Sequence, residues 1–260
     1  MYNLKNKVIV ITGASSGIGK ATTEKLAKAG AKLIISARRA SLLEKISSEL
    51  SEYEVSYKVA DVTKLDDMKE LIKFADSKYG RVDAMFHNAG IMPMGPLSDG
   101  SNESNEKWFS AVNVNIMGVI NGLSAGLPYM VKQKHGHMIA MGSVAGHLVY
   151  PNSAVYCGTK YALGAIMEGV RQENIENNIR STMISPGIVN TNLVDSVKNS
   201  DIEAWVKGET SDPYKSLSPE DVADAVIYAL STPDNVAISE VLIALYKLKP
   251  SISVVLKFLY

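Results

Sequence analysis

Cysteine is almost absent: Cys157 is the single one in 260 residues, so no disulfide can close within the chain, which suits a reducing compartment. Excess charge of either sign is absent too. Lysine plus arginine number 27 and aspartate plus glutamate 27, a formal net charge of +0 that removes the global field drawing proteins to nucleic-acid phosphates or anionic lipid. No nucleic-acid partner is expected. Long apolar runs are missing as well. The stretch Val8 to Ile11 is too short for the apolar core of a signal peptide, and the apolar region from Val236 to Tyr260 is interrupted by Glu240, Lys247, Lys249, Pro250 and Lys257. This argues against a membrane-spanning segment and for a cytoplasmic protein. Aromatic residues make up only 7%, yet 46% of the chain is hydrophobic, enough to build a core and too much for disorder.

What the sequence does contain is alternation. Strand-like runs at Lys7 to Thr12, Lys32 to Ser36, Ser56 to Ala60, Val82 to His87, His137 to Met141, Arg180 to Ser185 and Ser239 to Leu245 are separated by helical patterns. These helices are Gly17 to Lys28, Ser41 to Ser51, Lys64 to Tyr79, a long region ending near Lys134, Ser153 to Asn177, and Ser218 to Leu230. Such punctuation predicts an α/β fold, a doubly wound parallel sheet of seven strands sandwiched between two helix layers. Ser218-Pro219-Glu220-Asp221 carries an N-cap serine, an N1 proline and first-turn acids, so a helix starts there; Gly30 is a helix stop. With no repeat or linker, one domain is expected. Its irregular segment 187–217, with a short helical patch around Ile202 to Val206, has the character of a lid over an active site.

Thr12-Gly13-Ala14-Ser15-Ser16-Gly17-Ile18-Gly19 joins the first strand to the first helix. Small residues at a helix N-terminus let backbone N–H groups approach a pyrophosphate, so this loop predicts dinucleotide binding although its spacing is G-x-x-x-G-x-G. The second strand ends Ser36-Ala37-Arg38-Arg39, with no carboxylate for the adenosine ribose. Arg38 instead offers permanent charge and fixed donors to a 2′-phosphate, which favours NADP(H) over NAD(H). Further on, Tyr156 and Lys160 stand four residues apart on one helical face. An adjacent ammonium and an oxidised nicotinamide both favour phenolate and lower the tyrosine pKa, so the pair can act in acid–base chemistry.

Taken together, TGASSGIG, ADV at 60–62, HNAG at 87–90, NVNIMG at 113–118, GSVAG at 142–146, YCGTK at 156–160 and SPGIVNT at 185–191 resemble the short-chain dehydrogenase/reductase family in its single-domain form. The resemblance implies a three-layer Rossmann fold over 1–243, with 244–260 an atypical tail. It also implies hydride transfer between the cofactor and a carbonyl or alcohol. In that reading Tyr156 exchanges the proton and Ser143 hydrogen-bonds the same oxygen. Lys160 lowers the tyrosine pKa and binds the nicotinamide ribose, while Asn115 holds a relay water. Cofactor contacts are implied for Gly13, Ser15, Ser16, Gly17, Ile18, Gly19, Arg38, Arg39, Asp61, Val62, Asn88, Ala89, Gly90, Pro186, Gly187, Ile188 and Thr191. Met92, Met94, Leu148 and Leu193 are candidate substrate contacts, together with Ser143 and Tyr156. The nearest style is that of bacterial dehydrogenases of serine and other 3-hydroxy acids, and homodimers or homotetramers are common in the family.

Two departures stand out. His87 replaces the family's usual asparagine, which puts the packing of that strand in question, and the ending Leu245 to Tyr260 is longer and more apolar than a family tail. Other readings are weaker. Gly142 to Gly146 is not a nucleophile elbow, and the sequence offers no acid to orient His147 as a hydrolase would need. His135 and His137 have no cysteine or carboxylate cluster around them, so no metal is expected. A nucleotide-binding regulator without turnover is the alternative from another class, although the full Ser143, Tyr156, Lys160, Asn115 set favours an enzyme.

Overall fold

The computed structural model describes residues 4–197, 200–212 and 215–245. Strands β1 (Val8–Thr12), β2 (Lys32–Ser36), β3 (Val55–Tyr57), β4 (Ala84–His87), β5 (Gly136–Met141), β6 (Ile179–Pro186) and β7 (Glu240–Ile243) form one seven-stranded sheet in the order β3-β2-β1-β4-β5-β6-β7. Every neighbouring pair is parallel. All five residues of β1 are buried, as a strand covered on both faces requires. The chain winds outward from β1 to β3 and then returns to place β4 beside β1, pairing Ile9 with Ala84 and Ile11 with Phe86. That reversal opens a crevice at the carboxyl ends of β1 and β4, the position where doubly wound sheets bind ligands.

Alternation along the strands divides the core in two. Ile9, Ile11, Leu33 and Ile35 face α1 (Gly17–Lys28), α2 (Ala40–Glu49) and α8 (Pro219–Ser231), which contribute Leu26, Leu43, Val222 and Val226. Val10, Ile34, Met85 and Met138 face the other way, against α3 (Leu65–Tyr79), α5 (Gly118–Gln133) and α6 (Ala154–Glu173). Each fully buried aliphatic side chain is worth about 1.5–3 kcal/mol. The capping box forecast for α8 is present: Ser218 Oγ accepts from Asp221 N at 3.1 Å, and Asp221 Oδ2 accepts from Ser218 N at 2.8 Å. Gly30 has φ +82°, the left-handed turn that ends a helix.

Most strand and helix ends differ from the sequence reading by one to three residues, and three helical regions differ in kind. The long helical region before Lys134 is present as one continuous helical stretch, Asn102–Gln133, in which a π-helical turn, Asn113–Met117, separates α4 (Asn102–Val112) from α5. Helix α6 ends at Glu173 and not at Asn177, because Asn174 Nδ2 donates to Val170 O and competes with the backbone ladder before a tight turn at Ile175–Asn177. The patch around Ile202 is a full helix, α7 (Ser200–Ser211). Among the described residues, Asn102–Gln133 is the one helical stretch long and apolar enough to cross a membrane. Half of that window is buried, and Val119, Leu123 and Met130 pack into the core against α3 and the sheet. Leu245 packs on the first core, and the rest of the atypical tail, 246–260, lies outside the described residues.

Candidate active site

The glycine loop is held by contacts that the sequence does not display. Gly13 has φ +65°, and a Cβ on it would lie 2.8 Å from the Ala89 backbone; a Cβ on Gly19 would lie 2.4 Å from Gly13 O. Neither position has room for a side chain, so the loop backbone lies bare over the start of α1, a cradle suited to a pyrophosphate. Asn88 ties it down. Its Nδ2 donates to Thr12 O and Gly13 O, each at 3.1 Å, and its backbone N–H donates to Thr12 Oγ1 at 3.1 Å. Asn88 therefore anchors the glycine loop to the end of β4, and Ala89 and Gly90 follow it directly in the chain. Gly17 (φ +52°) faces Thr191, whose methyl would lie 3.2 Å from a Cβ there, so the loop meets the segment after β6.

Charged side chains gather at the carboxyl end of β2. Arg39 Nη2 donates to Ser15 Oγ at 2.9 Å and Ser16 Oγ at 3.2 Å, reaching back over the loop. Arg38 is exposed beside it. Burial raises the Asp61 carboxyl, but hydrogen bonds from Thr63 and the charges of Arg38 and Lys64 outweigh that and leave it below the ordinary range. Asp61 Oδ1 accepts from Thr63 N and Thr63 Oγ1, and Val62 lies where a Cβ on Gly118 would approach it to 2.8 Å.

Ser143, Tyr156 and Lys160 are brought together where β5 leaves the sheet and α6 begins, and all three are buried. Ser143 Oγ accepts from Ala145 N at 3.1 Å and so caps the tight turn Val144–Gly146. Lys160 Nζ donates to Met141 O at 2.7 Å and sits 5.7 Å from the centre of the Tyr156 ring. The expected lowering of the tyrosine pKa involves an oxidised nicotinamide as well as the lysine; among the protein groups, burial dominates. Burial pushes the phenol up to about 12, hydrogen bonding with Ser143 offsets this only in part, and Cys157 adds to the rise. The Lys160 ammonium is itself lowered to about 8 by burial. Desolvation thus dominates both groups.

Asn115 lies in the wide turn between α4 and α5 and is 1% exposed. Its Oδ1 accepts from Ile91 N at 2.9 Å, while Nδ2 donates to Ile91 O at 2.9 Å and to Thr159 Oγ1 at 3.1 Å. Thr159 Oγ1 in turn donates to Tyr156 O at 2.7 Å. Both side-chain donors of Asn115 are engaged, so it links the Ile91 loop to the helix of Tyr156.

Met92 joins two apolar clusters. One contains Ala145, Tyr156 and Cys157; the other contains Val194, Val197 and Val206 from the segment after β6, where Met94 also packs. A hydrogen bond from Met92 N to Ser196 Oγ at 2.8 Å pins this segment over the crevice. Leu148 and Leu193 are half-buried and stand outside these clusters. Pro186 ends β6, Gly187 N donates to Ile243 O, and Ile188 O accepts from Leu217 N, so β7 and the chain at Leu217 both fix this turn. A cavity of about 560 Å³ lies between Thr191–Asp195 and α7, lined also by Lys207 and Thr210.

His87 is fully accommodated. A Cβ on Gly122 would lie 2.4 Å from His87 Cε1, so α5 leaves the space the larger ring needs and β4 keeps its register to His87 opposite Ala140. Burial lowers the imidazole to about 4, and its Nε2 has no hydrogen-bond partner among the described residues. A correction applies to His147: an acid does orient it. Glu240 Oε1 accepts from His147 Nε2 at 2.8 Å and also from Ser185 Oγ. The carboxylate lies between histidine and serine, so it does not build a hydrolase relay. Thr12, Thr159, Val194, Val197 and Glu240 were missed from sequence; Thr159, between Tyr156 and Lys160, had a positional signal, and Glu240 had none. Among the described residues, no group of three His, Cys, Asp or Glu could hold a metal ion.

A family model described as short chain dehydrogenase matches residues 7–201. An uncharacterized oxidoreductase of Staphylococcus saprophyticus is 46% identical over 246 residues, covering 94% of this chain and 97% of its own. The closed form of a serine dehydrogenase complexed with NADP+ superposes with a TM-score of 0.82 at 27% identity, covering 90% of this chain and 93% of its own. A short-chain dehydrogenase/reductase from Burkholderia phymatum in complex with NAD gives 0.83 at 26% identity, with coverage of 93% and 90%.

Proposed function

The chain belongs to the short-chain dehydrogenase family and is an oxidoreductase of that type, and from that premise we propose that it interconverts a carbonyl and its alcohol with NADP(H). The observation that carries the reading is the burial of Tyr156 beside Ser143 and Lys160 where β5 leaves the sheet and α6 begins.

When bound, a nicotinamide dinucleotide supplies the hydride or accepts it. The backbone from Gly13 to Gly19 would hold its pyrophosphate, and the bare cradle over α1 fits that group. Arg38 would meet the 2′-phosphate, Asp61 and Val62 the adenine, Ala89 and Gly90 the riboses, and Gly187, Ile188 and Thr191 the carboxamide. A phenol raised to about 12 is neutral at physiological pH and holds the proton that a carbonyl oxygen needs as it is reduced. Ser143 donates to that same oxygen and fixes its position. Lys160 stabilises the phenolate left behind, because its ammonium is one turn along the same helix face. Asn115, with its amide engaged on Ile91 and Thr159, supports Tyr156 from beneath; a relay water to Lys160 would be held by the backbone of the wide turn.

The apolar wall of Met92, Met94, Val194 and Val197 favours a compact carbon skeleton, and the likeness to a serine dehydrogenase favours a small 3-hydroxy acid. We further place the protein in the cytoplasm as one domain over 1–243. Self-association through α4 and α6 is part of the proposal: Phe109 is 70% exposed on α4, and the space above Gly158 and Gly164 on α6 is open. Two variants test the chemistry. Tyr156→Phe should keep NADPH binding while turnover falls by about 10²–10⁴; an active variant refutes the tyrosine assignment. Arg38→Asp should shift kcat/KM from NADP toward NAD, and unchanged selectivity refutes the role of Arg38.

A further inference from the structure

We propose that Glu240, on the last strand, is a positioning residue for Ser143, gripping both ends of the loop that carries it. The loop leaves the sheet at Gly142, whose N–H donates to Ile184 O at 2.8 Å, and closes at His147. Between these points, Gly146 N donates to Ser143 O at 2.8 Å and His147 N to Val144 O at 3.0 Å. Gly142 ties the start of the turn to β6, but the hydrogen bonds within the turn leave its far end at His147 without a reference to β7. Glu240 supplies that reference. His147 Nε2 donates to Glu240 Oε1 at 2.8 Å, which fixes the far end of the loop. Ser185 Oγ donates to the same oxygen, and Ser185 is the residue on which Gly142 rests: a Cβ on Gly142 would lie 2.3 Å from Ser185 Oγ. One carboxylate oxygen therefore holds the floor beneath Gly142 and the exit at His147, with Ser143 between them.

The ligand-side consequence follows from sequence order. Ser185 directly precedes Pro186 and Gly187, so the same carboxylate also registers the end of β6 against the serine turn. A serine hydroxyl aimed at a reacting oxygen tolerates little displacement, since a shift near 1 Å costs about 10²-fold in rate. Charge-assisted hydrogen bonds are the kind that hold such a position, and although Glu240 is an exposed residue, its side chain and that of His147 are only 31% and 24% exposed where they meet.

The inference rests on the proposed oxidoreductase chemistry for its kinetic consequence and on geometry alone for its structural one, and the experiment reads both. Glu240→Ala and His147→Ala should each lower kcat for carbonyl reduction by about tenfold or more while the dinucleotide Kd changes by less than about threefold. Glu240→Gln keeps an acceptor oxygen at the same place and should recover most of the rate. The double variant should be no slower than either single one, as for two members of one contact. Hydrogen–deuterium exchange gives a readout independent of turnover: amides of Ala145 to His147 should exchange faster in both alanine variants and not in Tyr156→Phe. Folded alanine variants with kcat within about twofold of the parent and unchanged exchange in this turn would overturn the proposal. An active Tyr156→Phe would overturn the tyrosine assignment while leaving the exchange result standing.

Discussion

Replacing Lys160 by Met should remove turnover and yet leave the fold as stable as before or more so. The lysine is 6% exposed, and burial takes its ammonium from 10.5 to about 8. The unfolded chain keeps the higher value, and a gap of that size corresponds to about 3 kcal/mol. Between about pH 8 and 10.5 the unfolded chain binds this proton and the folded chain does not, so stability rises with pH across that window; below pH 8 the folded state carries the whole cost. Methionine has similar length and no charge, so the cost disappears. Against this, Met141 O loses the donor that stands at 2.7 Å, a loss of about 1–3 kcal/mol. At pH 7 the variant should therefore lie between equal stability and about 2 kcal/mol more stable. At pH above 10.5 the gain vanishes and only the orphaned carbonyl remains, so the order of the two proteins reverses. Urea unfolding of both proteins at pH 7 and pH 10, with NADPH turnover measured alongside, decides the matter. A variant less stable by about 3 kcal/mol at pH 7, or a stability difference independent of pH, would refute the reasoning.

Gly122→Ala should destabilise the chain by about 1–3 kcal/mol through overpacking against His87, and His87→Asn in the same chain should recover part of it; equal losses in single and double variants would refute the packing account. Because the folded imidazole lies near 4 and the unfolded one near 6.5, stability from this group is present above pH 6.5 and is lost as pH falls toward 4. Acid unfolding of His87→Asn should accordingly be shallower than that of the parent over pH 4–6.5. Alcohol oxidation needs the phenolate of a tyrosine that burial raises, so its kcat/KM should climb with pH between 7 and 10, whereas carbonyl reduction should not; a flat oxidation profile refutes Tyr156 as the base.

Much of the fold was legible because parallel strands buried on both faces are short β-branched runs, and Val8 to Thr12 has that composition throughout. One error fell where a side chain competes with the backbone ladder, the others where the ladder widens or runs out at the sheet edge. Asn174 on Val170 O ends α6 early, and the wide turn at Asn113–Met117 lies inside a stretch whose apolar periodicity alone reads as one regular helix. Likewise β3 is written as five residues and forms only three, at the sheet edge, although Lys58 N and Ala60 N still reach Ile35 O and Ala37 O.

The site divides along a different line. Tyr156 with Lys160, and the glycines from 13 to 19, were readable because the partners lie within one or two helical turns of each other. The contacts that hold them in place span 44 residues for Asn115 with Thr159, 75 for Asn88 with Gly13, and 93 for His147 with Glu240. No spacing rule reaches that far, and here the glycines are informative in a way composition is not. Gly13 is small because of Ala89, Gly122 because of His87, and Gly142 because of Ser185. Each such glycine marks a close approach whose partner only the fold reveals. Gly142 is the instructive one: its partner Ser185 is bonded to Glu240, so a missing side chain beside the catalytic serine leads to a carboxylate on the last strand. If that path is mechanical, Gly142→Ala should displace Ser185 and slow turnover in the manner of Glu240→Ala.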